Sequence, residues 1–183
     1  YVTINLLASA LFLIGLGMIY GSVGSLNMAD VARLMPLLEG DQHRIAVAGG
    51  LLLFTVFGIK AAMLPVGFWL PKTYAVATTP VAALFTIMTK VGIYAILRVN
   101  GTVFDDAISR EILQYILLPI GLITSVYGVI GAMGAERLRR FIGFMILSSV
   151  GTILIAISLF NTLAWAAALY YLVHSTIIAA AFY

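Results

Sequence analysis

The chain has 183 residues, 63% of them hydrophobic and only 9% charged, with a mean hydropathy of +1.12. A soluble domain is typically about one-quarter charged, so this composition belongs to an integral membrane protein whose surroundings are the lipid bilayer. The formal charge of +3 comes from basic residues dispersed over loops, which excludes a nucleic-acid-binding patch, and the absence of cysteine excludes disulfides, iron–sulfur clusters and thiolate metal sites.

A membrane-crossing helix needs about 20 apolar residues, and six stretches qualify, at 1–20, 46–70, 79–98, 112–134, 141–160 and 162–183. They exceed strand length and lack the two-residue alternation of barrel strands. The expected fold is an all-α polytopic bundle of about six transmembrane helices. The first stretch is uncharged up to Asp30 and has neither the basic region nor the cleavage site of a signal peptide. With no initiator Met and an apolar run at each end, the chain reads as an internal fragment of one larger transmembrane domain. The uncharged tract from Phe141 onward is divided at Asn161, a turn signal.

Alternating spans put 21–45 and 99–111 on one side of the membrane, and 71–78 and 135–140 on the other. Each side carries four basic residues, Arg33, Arg44, Arg98 and Arg110 against Lys72, Arg137, Arg139 and Arg140. The second set is concentrated in short loops, including ERLRR at 136–140, whereas six acids dilute the first. The positive-inside rule therefore places loops 71–78 and 135–140 in the cytoplasm.

Two lysines interrupt this apolar pattern. Lys60 lies within the second span. Lys90 lies ten residues after Pro80 and eight before Arg98. Each is roughly 12–15 Å from a helix end at about 1.5 Å per residue, too deep for easy snorkelling. One reading is a structural cation bonded to carbonyls or an acid; the other is a proton-transfer site, because intramembrane ionisable groups are costly and tend to mark ion routes. The seven acids, Asp30, Glu39, Asp41, Asp105, Asp106, Glu111 and Glu136, all fall in loops or at span boundaries. Either an acid from outside this segment pairs with Lys60, or the lysine spends much of its time neutral. Both alternatives suit proton exchange, and two lysines at similar depth on consecutive helices would titrate as a coupled pair.

Pro65 predicts a break beside Lys60, because it removes the N–H that the Ala61 carbonyl would accept in a continuous helix. Broken helices at mid-membrane recur in transporter ion sites; a packing kink is the other reading. His174, in YYLVHSTII, is either a hydrogen-bonded core residue or a further proton relay suited by its near-neutral titration. His43 and His174 are too isolated to form a zinc site, and no other metal or cofactor site is visible. Ser148, Ser149, Thr152, Ser175 and Thr176 do not discriminate between orienting waters and bonding to their own backbone. GVIGAMG at 128–134 presents a small-residue face for close helix packing.

The ordered pattern Lys60-x4-Pro65-x3-Trp69-Leu70-Pro71, Pro80-Val81, Ala83-Leu84-Phe85 and Lys90-x-Gly92-x-Tyr94-x3-Arg98 resembles the antiporter-like proton-translocating subunits. These occur in respiratory complex I, membrane-bound hydrogenases and Mrp-type cation/proton antiporters. Leu138-Arg139-Arg140 through Ser148-Ser149-Val150-Gly151 is similar to the family's basic turn and following helix, and Tyr171 to Phe182 to its histidine-bearing helix. The opening residues look most like the D-type subunit of the Mrp branch. The resemblance implies Lys60 as the broken-helix lysine, Lys90 as the second lysine and His174 as the later histidine of a proton path. It also implies a glutamate partner for Lys60 upstream of Tyr1.

Two positions depart from the pattern. Ile178 and Ala179 stand where many relatives have a lysine, which puts an exit through this helix in question. Arg139 stands where a lysine is common and cannot release its proton under ordinary conditions. The implied function is proton translocation coupled to antiport of a monovalent cation, Na⁺, by a subunit of a hetero-oligomeric complex in the bacterial inner membrane. Such a chain is a secondary transporter subunit and needs no cofactor. The alternatives are a proton-pumping subunit of a complex I-like or hydrogenase complex, and a non-transporting scaffold subunit.

Overall fold

The computed structural model describes residues 2–103 and 107–183. Tyr1, where the first expected span begins, and Asp105 and Asp106 of the acidic loop lie outside the described residues. So do the side chains of Arg110 and Glu111 from the same loop. Among the described residues there is no strand, and six helical segments are long and apolar enough to cross a membrane. The all-α polytopic fold follows.

In chain order, α1 (Val2–Val23) leads to a short loop helix, α2 (Met28–Leu34), and a 3₁₀ turn at Met35–Leu37. The α2 N-terminus is capped by the Asn27 side chain, which accepts from the Ala29 N–H at 3.0 Å. α3 (Gly40–Ala61) ends at a break, followed by a 3₁₀ turn at Val66–Phe68 and α4 (Trp69–Val76). α5 (Thr79–Thr102), α6 (Ala107–Met133), α7 (Leu138–Ser158) and α8 (Thr162–Ala181) complete the bundle.

The segment expected at 46–70 is longer at both ends, running from Gly40 to Val76 across its break. Its polar first turn, Asp41 to Arg44, is helical because an acid there complements the helix N-terminus. Residues 71–76, expected in a loop, belong to α4. Pro71 lies in the first turn of α4, where a missing N–H costs no helical bond, so it helps start a helix that it would otherwise stop. Only Ala77 and Thr78 then separate α4 from α5. α7 and α8 part at Phe160, whose φ is 46°, and Asn161 caps α8 by accepting from the Leu163 N–H at 3.0 Å.

α7 occupies the centre, with Leu147, Val150, Ile153 and Leu154 almost fully buried. Lipid tails are as apolar as leucine, so close helix contact rather than hydrophobic transfer organises the bundle. α6 and α7 meet backbone to backbone: a Cβ on Gly128 would lie 2.5 Å from the Ser148 nitrogen, and one on Gly151 would lie 2.3 Å from the Ser125 nitrogen. α1 packs on α3 at Gly49, whose Cβ would lie 3.0 Å from the Gly15 carbonyl. α1 and α8 keep most of their apolar surface outside the packed core.

Candidate functional site

The site begins at the break. α3 ends in a Schellman arrangement: the Ala62 N–H donates to the Ile59 carbonyl at 3.2 Å and the Met63 N–H to the Gly58 carbonyl at 3.0 Å. Ala62 adopts the left-handed conformation, φ 60° and ψ 35°, which costs roughly 1–2 kcal/mol for a residue with a Cβ. The helix thus stops before Pro65 takes effect. The expected loss of a helical partner at the Ala61 carbonyl is accompanied by this capped end, with Pro65 following within the usual few residues. Packing holds the turn: a Cβ on Gly67 would lie 2.0 Å from the Ala62 carbonyl oxygen, a closeness only glycine permits. The Trp69 indole donates to the Ile59 carbonyl at 3.2 Å, and the unwound Leu64 N–H donates to Thr124 Oγ1 at 3.1 Å. These bonds satisfy polar backbone that lipid could not.

Lys60 stands in the last turn of α3. A helix C-terminus carries partial negative charge, which favours an ammonium there. Lys60 Nζ donates to the Asn5 side-chain oxygen on α1. A cavity of about 10 Å³, room for one water, lies beside the pair and is bordered by Trp69 and Tyr74. A groove of about 380 Å³ between α1, α3 and α5 also reaches Lys60.

Lys90 sits midway along α5 and is only 2% exposed. Its Nζ donates to Ser149 Oγ on α7, and Ser149 in turn donates to the Ile146 carbonyl at 2.7 Å. α5 approaches the end of α3 at Gly92, where a Cβ would lie 2.7 Å from the Ala61 nitrogen. The two lysines are therefore on directly packed helices, one residue before and two residues before this contact. Among the described residues no hydrogen bond joins them, and the salt bridges, Asp30–Arg33 and Asp41–Arg44, lie at the surface. The acceptors that the lysines do meet, a carboxamide and a hydroxyl, are neutral.

His174 is on α8, exposed and stacked on Tyr170 with ring planes 10° apart. It does not bond to either lysine. Its connection is through space: His174 and Ser175 line one wall of a cavity of about 360 Å³ between α7 and α8, and Ser149 lines the other. Lys90 also borders a groove of about 350 Å³ that reaches Thr176 on α8. Arg139 has a structural task, donating to the Ala77 carbonyl and to Thr79 Oγ1, each at 2.9 Å. This clamps the α4–α5 turn to the start of α7, so both short basic connections lie at one end of the bundle.

Two partners, Asn5 and Thr124, were not named from the sequence, and Ser149 was named there as a hydroxyl with no role assigned. Asn5 had a usable signal, an amide inside an otherwise apolar membrane-length run. The two hydroxyls had none, since intrahelical bonding of Ser and Thr is the common alternative.

The whole chain, residues 1–183, matches the family model described as NADH:quinone oxidoreductase/Mrp antiporter, TM. It is similar to the D subunit of a probable K⁺/H⁺ antiporter of Rhizobium meliloti, with 43% identity over all of this chain and 34% of that protein. It is also similar to the D subunit of the Na⁺/H⁺ antiporter of Bacillus subtilis, with 34% identity over all of this chain and 36% of that protein. The chain thus spans about a third of the length of the curated relatives it matches. In three dimensions it is similar to a chain of the Mrp complex from Dietzia sp., with a TM-score of 0.88 and 32% identity over 99% of this chain and 33% of that one. A chain of the membrane-bound sulfane sulfur reductase, an archaeal respiratory membrane complex, also gives 0.88, with 25% identity over 98% of this chain and 36% of that one. With this match along its full length, the chain belongs to the NADH:quinone oxidoreductase/Mrp antiporter transmembrane family.

Proposed function

We propose that the chain forms the proton-conducting part of a D-type subunit in an Mrp-type antiporter, exchanging protons for Na⁺ or K⁺ within a hetero-oligomeric complex of the bacterial cytoplasmic membrane. The observation that carries this reading is Lys60, held in the last turn of α3 against a capped break and bonded to a neutral acceptor. Among the described residues the group that meets the Lys60 ammonium is a carboxamide on a second helix, and the glutamate partner that the family resemblance implies lies upstream of Tyr1. In this reading Lys60 is the gated proton site and Lys90 the next station. Ser149 links Lys90 to the α7–α8 cavity, where His174 continues the path. The α4–α5 and α6–α7 connections face the cytoplasm, supported by the concentration of Arg137, Arg139 and Arg140 at the end that Arg139 clamps.

The names of the relatives divide between K⁺ and Na⁺, so the test uses both. In inverted vesicles holding the full-length complex and an imposed ΔpH, addition of NaCl or KCl is expected to dissipate the gradient. A gradient unmoved by either salt overturns the antiport reading. The second reading is a proton-pumping subunit of a respiratory complex, favoured by the likeness to the sulfane sulfur reductase. It predicts proton movement driven by an electron donor and indifferent to added cation.

Ser149→Ala removes the acceptor of the Lys90 ammonium. A hydrogen bond to a charged group contributes about 1.5–3 kcal/mol, and we expect cation-driven ΔpH dissipation per assembled complex to fall roughly tenfold. Ser149→Thr, which keeps the hydroxyl, is expected to retain most of the rate.

A further inference from the structure

We infer that Thr124 is a positioning residue that couples the break beside Lys60 to the wall of α7 that holds Lys90. This rests on the proton-path reading above. Thr124 is fully buried in α6, and its hydroxyl makes two bonds. It donates to the Ile120 carbonyl at 2.6 Å and accepts from the Leu64 N–H at 3.1 Å. The first bond commits the hydroxyl proton to the helix, which leaves the oxygen lone pair for the unwound residue of the break. Leu64 lies between the capped end of α3 and Pro65, and its N–H reaches sixty residues along the chain to find this acceptor.

The next residue along α6 carries the contact onward. The Ser125 nitrogen lies 2.3 Å from the position of a Cβ on Gly151, and the Ser148 nitrogen lies 2.5 Å from that of a Cβ on Gly128. Residues 124–128 of α6 therefore rest directly on residues 148–151 of α7, with no side chain between to absorb a shift. That stretch of α7 includes Ser149, the acceptor for Lys90. A rearrangement at Leu64 is passed through Thr124 to α6, from α6 to α7, and through Ser149 to the Lys90 ammonium. Close-packed interiors transmit such shifts because they deform little. The direct contact of Gly92 with Ala61 ties α5 to the end of α3 but touches neither Leu64 nor Ser149.

The test compares Thr124→Val, which keeps the shape and removes the acceptor, with Thr124→Ser, in the full-length assembled complex. Hydrogen–deuterium exchange is expected to quicken in Thr124→Val in two separate peptides, one covering 62–68 and one covering 146–151. Exchange in α1 should stay unchanged, and Thr124→Ser should restore both peptides. Faster exchange confined to 62–68 would overturn the coupling, and so would unchanged exchange in both. Transport gives the second readout. Thr124→Val is expected to lose up to about 100-fold per assembled complex, a loss of the size that a misplacement of about 1 Å produces. If Lys60→Ala is inactive while Thr124→Val transports at the wild-type rate, the coupling fails and the proton path stands. If Lys60→Ala transports normally, the proton path fails, and the exchange result still decides the mechanical link.

Discussion

Lys60→Ala is expected to abolish cation-driven ΔpH dissipation, by about 100-fold or more, in complexes assembled at normal abundance. A positioned proton-transfer group typically contributes 10²–10⁴-fold, and alanine leaves none at the end of α3. The side chain is only partly buried, and its bond to Asn5 is one of several contacts between α1 and α3. Gly15 and Gly49 keep these helices together without it. Assembly should therefore survive, which separates this outcome from that of a scaffold. Lys60→Arg sharpens the test, because arginine keeps the positive charge at the helix terminus but does not release its proton in the working range. The proton path predicts that Lys60→Arg is as inactive as Lys60→Ala. A static cation predicts that Lys60→Arg assembles and transports like wild type. Full activity of Lys60→Ala per assembled complex would overturn the proton path.

Gly151→Leu is expected to remove the complex from the membrane almost entirely. The new Cβ would meet the Ser125 nitrogen at 2.3 Å and the Gly121 carbonyl at 2.6 Å, both backbone atoms within the adjoining helix. Neither can swing aside as a flexible side chain could, so α6 and α7 must separate. Overpacking of an interior costs on the order of 1–3 kcal/mol, occasionally more, and backbone-on-backbone overlap belongs at the upper end. Gly134→Leu, just beyond the C-terminal end of α6, is the control. A Cβ there meets only the Ile130 carbonyl, at 3.9 Å. Quantitative immunoblotting and the thermal midpoint of the solubilised complex should show Gly151→Leu depleted and destabilised and Gly134→Leu near wild type. Equal abundance of the two would sink the close-contact account of the α6–α7 pair.

The fold class and the neighbourhood of the site were legible from residues alone, and particular elements show why. Apolar length determines whether a segment lies in the bilayer, and this is a local property that α1, α5, α7 and α8 each carry within their own sequence. Pro65 likewise announces an interruption near Lys60, because the missing N–H acts on the same turn. The end of α4 was less legible. A Pro at position 71 reads equally as a stop or as a first-turn residue, and the packing of residues 72–76 decides which. The left-handed Ala62 had no signal, since alanine rarely adopts that conformation by itself. It is held there by Gly67 against its carbonyl and by the Thr124 hydroxyl on Leu64.

The order of residues was enough to establish that this chain crosses a membrane as a set of helices, that it carries two lysines at depth, and that one of them lies beside a helix break. The partners of those lysines came from the packing of distant helices. Asn5 is 55 residues from Lys60, Ser149 is 59 from Lys90, and Thr124 is 60 from Leu64. Burial in lipid is a sum of local transfer energies that each segment carries alone. The meeting of one polar group with another depends on which helices approach closely enough, and the close approaches here include Gly15 and Gly49 between α1 and α3, Gly92 between α5 and α3, and Gly128 and Gly151 between α6 and α7.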